Sequence, residues 1–513
     1  MKKLPFLYLL TVLAIVALFG CDDDSDSTAE EDQADDDDND NDNDDSTDDD
    51  NDSADDDDND DSVADDDDDN DNDDSTDDDT SIEPEREWFF DAQGRVALYH
   101  GVQIIQQRDP YISWHTEADY DRLVEWGFNS IRLGIVWAAV EPEPGVYNET
   151  FLEQLDERIA WCRERGIAVI LDMHQDLYGE KFNGDGAPAW ATEDNGLTYV
   201  PWEPWYLNYL QPALVAAFNN FWRNRNGVQD AYVAMWSHLA KRYADEPAVL
   251  GYDLMNEPFF GTYLPLFVFD RFALEPFYRN LATAMRTDDE DAWFFVEPAG
   301  AVGAGLPCHL GLPDVPNVSY GPHLYPFVSV ILSVYLGLPL EIEFVLDAID
   351  RTARRMAAPV WVGEWALFNG QTVNHEQYMR DATRLLDEHL ASWSYWVYNK
   401  DDNVGLLDPD GNERAWVLDA VSRPYPQKTA GYPESFAFDP DAGIFTLVWT
   451  ENPVATGPTE IYIPRRHFPG GFILTCSDPD GEGSYTWNEA RQVASIEANR
   501  QIARHSVMIE TMK

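Results

Sequence analysis

Between Trp88 and Tyr425 the chain switches eight times between a short, nearly unbroken apolar run and a longer stretch whose apolar residues recur at helical spacing. The runs fall at 97–104, 129–136, 167–173, 249–255, 293–297, 317–323, 359–364 and 393–398. Helical patterns follow most of them, at 118–126, 150–165, 230–243, 268–286, 341–357 and 374–391. A run too short for a helix and apolar on both faces reads as a strand covered on both sides, the condition of a parallel sheet wrapped by helices. Eight such units predict an α/β fold closed into a (β/α)8 (TIM) barrel. An open doubly wound sheet is the alternative, but no Gly-rich phosphate loop follows the first strand.

From about Tyr432 the texture changes. Phe436-Ala437-Phe438, Phe445 to Trp449, Glu460 to Ile463 and Val507 to Ile509 alternate with Gly, Pro and Asp turns, which predicts a small C-terminal all-β sandwich packed on the barrel. The expected divisions are 85–428 for the barrel and 429–513 for the sandwich.

The N-terminal segment is of another kind. Residues 21–80 hold 34 Asp and 2 Glu, with no Lys or Arg and only Val63 as a large aliphatic. Such a stretch buries too little surface to offset its conformational entropy, so it is expected to be a disordered, self-repelling tether. Asp and Asn alternate as in calcium loops, but no Gly supplies the tight turn, so weak, nonspecific cation binding is the expectation. Ahead of it, Lys2 and Lys3 precede an apolar run from Leu4 to Phe19 that is short for a membrane span. Residues 1–20 therefore read as an export signal. The sequence Leu18-Phe19-Gly20-Cys21 resembles a bacterial lipoprotein cleavage box, which would make Cys21 the lipidated first residue. Several acyl chains, at about 0.8 kcal/mol per buried methylene, would hold the protein stably on a bilayer. The expected location is the outer side of a cell membrane or the periplasm.

Charge excludes one class of partner. The formal net charge is −65, and residues 81–513 alone carry −31, so neither nucleic acid nor an anionic lipid surface is attracted electrostatically. Past Cys21 only Cys162, Cys308 and Cys476 remain, too few and too odd for a disulfide framework. Cys162 sits in a helical pattern and reads as a small core residue.

Chemistry concentrates where the apolar runs end. Glu257 closes Leu254-Met255-Asn256-Glu257-Pro258, and Glu364 closes Val360-Trp361-Val362-Gly363-Glu364. In a parallel barrel the carboxyl ends of the strands share one pocket, so two Glu about a hundred residues apart can converge on one bond. Arg132, His174 with Asp176, His323 with Tyr325, and Trp396 also follow apolar runs. Each alone is a weak signal, because a buried Arg or His often only pairs a neighbouring carboxylate. Their order along alternating strands is harder to obtain by chance.

That ordered set, Arg132, His174, Asn256-Glu257, His323, Tyr325, Glu364 and Trp396, resembles the retaining β-glycosidases of glycoside hydrolase family five. Within them the chain is most similar to the endoglycosylceramidases, which release an intact glycan from ceramide. Gly134 to Trp137, Glu141 to Tyr147, Asp172 to Asp176, Pro201 to Tyr206 and the Glu460-to-Pro464 run add to the resemblance, which covers roughly 88–510. It implies that Glu257 is the acid/base and Glu364 the nucleophile. Arg132 and Tyr325 would hold Glu364, and Asn256 would bond the sugar 2-hydroxyl. His174, Asp176 and His323 would bond other polar atoms of the site, and Trp396 would floor the sugar ring. No cofactor or metal is implied, and a monomer is expected. At Gln107, where related ceramide-cleaving enzymes often carry Lys, the chain departs from the pattern, so glucosyl- and galactosyl-linked ceramide both stay open.

Two apolar stretches, 259–269 and 327–338, leave the same barrel face as Glu257 and are expected either to line a groove for lipid tails or to dip into a bilayer. The plainer alternative packs them on each other or on the aromatic-rich insertion 175–228, which would form a wall of the cleft. Two other functions remain as alternatives: an endo-β-glycanase on soluble polysaccharide, and a non-catalytic glycolipid-binding surface lipoprotein.

Overall fold

A computed structural model of the chain describes residues 86–512, apart from 332–333, 368–372, 402 and 479–483. The expected export signal, Cys21 and the expected Asp-rich tether lie outside the described residues.

After a two-residue strand β1 (Val96–Ala97), eight parallel strands follow: β2 (His100–Ile104), β3 (Ser130–Val136), β4 (Ala168–His174), β5 (Val249–Asp253), β6 (Trp293–Val296), β7 (Val318–Tyr320), β8 (Trp361–Trp365) and β9 (Ser392–Tyr395). Their order is β7-β6-β5-β4-β3-β2-β9-β8. Parallel bridges Tyr320–Val360 and Leu324–Trp365 join the two ends, so the barrel closes. All seven residues of β3 are buried, Arg132 among them, as a strand covered on both faces requires.

The helices obey the same logic. Glu149–Arg165 starts where the Asn148 side chain accepts from the Phe151 amide and stops at Gly166, whose φ of 66° suits a left-handed end. Between them Phe151, Leu152, Leu155, Ile159 and Cys162 form one buried face. Cys162 is thus core, and burial pushes its thiol pKa up.

The sandwich comprises β10 (Tyr425–Thr429), β11 (Gly431–Asp439), β12 (Ile444–Glu451), β13 (Thr459–Tyr462), β14 (Phe472–Cys476), β15 (Ser484–Asn488), β16 (Val493–Glu497) and β17 (Arg504–Thr511). One sheet runs β1-β10-β13-β16-β15 and the other β11-β12-β17-β14. The four expected strands are present, joined by β10 and by β14 to β16, whose residues show no clear alternation. Phe445, Leu447 and Trp449 alternate inward along β12 against Ile461, Ile496 and Val507. Because β1 precedes the barrel strands yet pairs with β10, the barrel and the sandwich share a sheet. Tyr425 and Tyr462 reach beneath the barrel to the carbonyls of Gly127 and Glu125, at 2.8 and 2.7 Å. That end is opposite the strand termini that carry the polar residues.

Candidate active site

Register builds the floor of the site. In β2 and β3 Gln103 is paired with Arg132, in β4 and β5 Asp172 is paired with Asp253, and hydrogen bonds from Gln103 and Arg132 to the two Asp join the pairs inside the barrel. Arg132 is fully buried at its centre. Its guanidinium donates to Asp253 (2.8 Å), Asp172 (2.9 Å), Glu297 (2.8 Å), the Asn256 carboxamide oxygen (2.9 Å) and Glu364. A rigid fork with five N–H donors is the one side chain able to serve so many acceptors. One cation among four carboxylates leaves an excess of negative charge. Burial, then the charges of Glu297 and Asp172, push the Asp253 pKa well above the carboxylate range, against the pull of Arg132. A neutral Asp253 removes part of that excess.

Glu364 stands at the end of β8. Arg132 reaches its Oε1, and the Tyr325 hydroxyl donates to its Oε2 at 2.9 Å. Glu257 follows β5 and adopts φ of 39°, a left-handed backbone that costs a non-glycine residue about 1–3 kcal/mol. Its amide donates to Glu297 Oε2 at 2.8 Å, and Gln175 Nε2 donates to its carbonyl at 3.1 Å. The strained turn carries the carboxyl over the barrel mouth, where 26% of the side chain stays exposed.

His323 ties the two carboxyls together. Its Nδ1 lies 2.9 Å from Glu257 Oε1 and 3.7 Å from Glu364 Oε2. The two oxygens can therefore be no further apart than the sum of those distances. Burial raises the Glu257 pKa, the His323 contact opposes this, and the Glu364 charge raises it further, leaving it above its ordinary value. His323 is held well above the usual imidazole range. Burial disfavours its charge, but Glu297, Glu364 and the bond to Glu257 outweigh that.

His174 Nδ1 bonds Asp172 at 2.9 Å, its Nε2 lies 3.7 Å from Asp176, and its ring stacks on half-buried Trp396 with centroids 5.5 Å apart. Gln107 reaches Asp176 at 3.4 Å. All nine residues singled out around the strand ends thus gather at one barrel mouth. Arg132 and Asn256 are both buried, at 0% and 2% exposure. The Asn256 amide donates to the Gln175 carbonyl at 3.1 Å, while its oxygen serves Arg132. The sequence reading gave no role to Glu297, Asp253 or Gln103. Glu297 had a readable sign: it closes the run Trp293-Phe294-Phe295-Val296 and precedes Pro298, as Glu257 precedes Pro258.

The mouth has two unlike sides. Beside Glu257 a cleft of about 300 Å³ is walled by Pro258, Phe259, Phe260, Ala301, Tyr209 and Val215. Beside Trp396 a pocket of about 320 Å³ is lined by Gln106, Gln107, Arg108, Asn399, Asp401 and Asn403. The insertion does form a wall of the first. Of the two apolar stretches, 259–262 face this cleft, whereas Phe267, Leu336 and Leu338 are 59%, 67% and 57% exposed.

Paired carboxyls at the carboxyl end of a closed parallel barrel define the sugar-cleaving barrel enzymes. Residues 91–402 match the family described as Cellulase (glycosyl hydrolase family 5), and residues 423–509 match the glycoside hydrolase family 5 C-terminal domain. The chain belongs to glycosyl hydrolase family 5 and is a glycosidase of that family. It is 30% identical to Endoglycoceramidase I of Rhodococcus hoagii over 77% of this chain and 82% of that one. It is 28% identical to Endoglycoceramidase of Cyanea nozakii, over 82% and 91% of the two chains. Among solved structures, Endo-glycoceramidase II from Rhodococcus sp. in its Ganglioside GM3 Complex superposes with a TM-score of 0.76 at 31% identity, covering 84% of this chain and all of the other.

Proposed function

We propose that this glycosidase hydrolyses the β-glycosidic bond between a glycan and ceramide in glycosphingolipids, by the two-step route that retains anomeric configuration. The observation that carries the reading is the apolar cleft beginning at Glu257. A general acid protonates the leaving-group oxygen, so whatever adjoins it receives the aglycone. Ceramide carries hydrocarbon there, and burying each methylene contributes about 0.8 kcal/mol. A soluble glucan has no use for an oily wall on that side, whereas the amide-lined pocket beyond Trp396 suits sugar hydroxyls. The relatives named endoglycoceramidase support the same substrate class.

Glu257, its proton held by burial and by the Glu364 charge, gives that proton to the ceramide oxygen while Glu364 attacks the anomeric carbon. Arg132 and Tyr325 aim the attacking carboxylate. Once Glu364 is esterified its charge is gone, Glu257 becomes more acidic, and it takes a proton from the water that frees the glycan. The His323 distances cap the gap between the two carboxyls near the bottom of the roughly 6.5–9.5 Å range of inverting enzymes, with the retaining separation of about 5 Å inside the cap. His174, Asp176, Asn256 and Trp396 would hold the sugar.

Mass spectrometry of products from a ganglioside and from galactosylceramide tests the proposal. Intact ceramide plus the whole glycan is expected from at least one of them. Turnover of a soluble β-glucan alone would end the ceramide reading, and full turnover by Glu364→Gln would remove the assigned nucleophile.

The location proposed is that of an exported lipoprotein acylated at Cys21, with the acidic segment as its tether and Phe267, Leu336 and Leu338 facing lipid. Palmitate labelling lost in Cys21→Ala is the expected result.

A further inference from the structure

We infer that Glu297 is a positioning residue of the cleavage step: its buried carboxylate keeps His323 as a two-donor imidazolium and pins the Glu257 backbone, so that the Glu257 proton faces the aglycone. The inference rests on Glu257 being the general acid.

The geometry is specific. Glu297 Oε1 lies 2.8 Å from Arg132 Nη2 and 3.2 Å from His323 Nε2, while Oε2 accepts the Glu257 amide at 2.8 Å. The other nitrogen of His323 points at Glu257 Oε1. With a carboxyl oxygen against each ring nitrogen, a neutral imidazole donates to one and sets a lone pair against the other. The imidazolium sets an N–H against each carboxylate, hydrogen-bonded to Glu257 at 2.9 Å and ion-paired with Glu297 at 3.2 Å. It occupies Glu257 Oε1 as a donor, which leaves Oε2 to carry the acid proton. Oε2 is the oxygen beside Gly300, in the wall of the apolar cleft, where the leaving oxygen arrives. A neutral His323 could instead accept that proton at Nδ1 and take it away from the reaction.

The groups facing His323 are Glu257, Glu297, Glu364 and Tyr325. Those acting on Glu257 are His323, Glu364 and Asp176. Glu297 itself faces Arg132 and His323, and its carbonyl accepts from Tyr278 at 3.0 Å. It is the one carboxylate that touches His323 without any part in bond making.

Glu297→Gln keeps an acceptor for the Glu257 amide and removes the charge. On a β-glycoside with an alkyl leaving group, which needs its proton, kcat/KM should fall roughly thirtyfold, a fraction of the roughly 10²–10⁴-fold available from general acid catalysis. On a dinitrophenyl β-glycoside, which departs unprotonated, it should fall less than about threefold. The alkaline limb of the alkyl-glycoside profile should move to higher pH, because losing the neighbouring cation makes Glu257 a weaker acid. Equal losses on both substrates, or an unmoved limb, would overturn the inference.

Nitrogen NMR of the unmodified protein at pH 7, with His323 signals identified from His323→Asn, should show both ring nitrogens protonated. A neutral ring overturns the inference even if the variant does not fold. Glu257→Gln separates the two levels: it should lose the alkyl substrate far more than the dinitrophenyl one. Failure there removes the general acid assignment itself, whereas failure of Glu297→Gln alone removes only the role of Glu297.

Discussion

Gly300 lies against Glu257: a Cβ built on Gly300 would stand 3.1 Å from the Glu257 Cβ and 3.3 Å from its Oε2. The acid is thus backed by a position with no room for a side chain. Gly300→Ala should push the Glu257 carboxyl by a few tenths of an ångström, which matters where a proton must be aimed. The expected loss in kcat/KM on an alkyl β-glycoside is about tenfold, roughly 1.4 kcal/mol. Thermal unfolding should change little, since the contact is local to the mouth.

Tyr325 donates a 2.9 Å bond to Glu364 and sits beside the attacking oxygen. Hydrogen bonds to charged groups are worth about 1.5–3 kcal/mol. Tyr325→Phe should therefore lower kcat/KM by about 10- to 100-fold on aryl glycosides, with the fold intact by circular dichroism.

The pH dependence has a defined sign. Burial first, and then the Glu364 charge, raise the Glu257 pKa, so activity that needs its proton persists above the ordinary glutamate value of about 4.3 and falls as pH rises through the raised one. Removing the Glu364 charge, by trapping it with a fluorinated sugar or by Glu364→Gln, must lower the Glu257 pKa. Carbon NMR of the Glu257 carboxyl before and after trapping should show the shift downward.

The cleft beside Glu257 can be filled without touching a charged group. Ala301→Trp places a ring in the 300 Å³ space. Turnover of a glycosphingolipid in detergent should drop at least tenfold, and dinitrophenyl glycoside hydrolysis should stay near its original rate. Equal retention of both would show that the lipid lies elsewhere.

Gly127 has φ of 85°, and a Cβ there would meet the Tyr462 ring at 2.1 Å. Gly127→Ala must therefore open the seam between barrel and sandwich, at a cost of about 1–3 kcal/mol from overpacking and more from the strained backbone. Differential scanning calorimetry should show a lower Tm, while activity per folded molecule is unchanged, because the seam lies at the far end of the barrel.

The strand ends and the convergence of Glu257, His323, Tyr325 and Glu364 were legible in the sequence, because polar residues that close an apolar run mark where a barrel strand reaches the shared mouth. The strands β14 to β16 were not legible: their residues alternate too weakly for a period to emerge. Nor was the depth of Arg132. Its position after Ile131 says strand, but its six acceptors, Gln103 among them, come from or just after five other strands, and only the register of a closed barrel decides which ones meet. The same holds for Glu297, whose sequence context matches that of Glu257. One became an acid whose side chain is 26% exposed and the other a buried counterion because the left-handed turn at Glu257 lifts its carboxyl into the mouth while Glu297 stays on the strand line beneath. Sequence periodicity determined which residues could reach the site. The tertiary structure decided their charge states, because the energy of a buried charge depends on partners that the chain brings together only when the barrel closes.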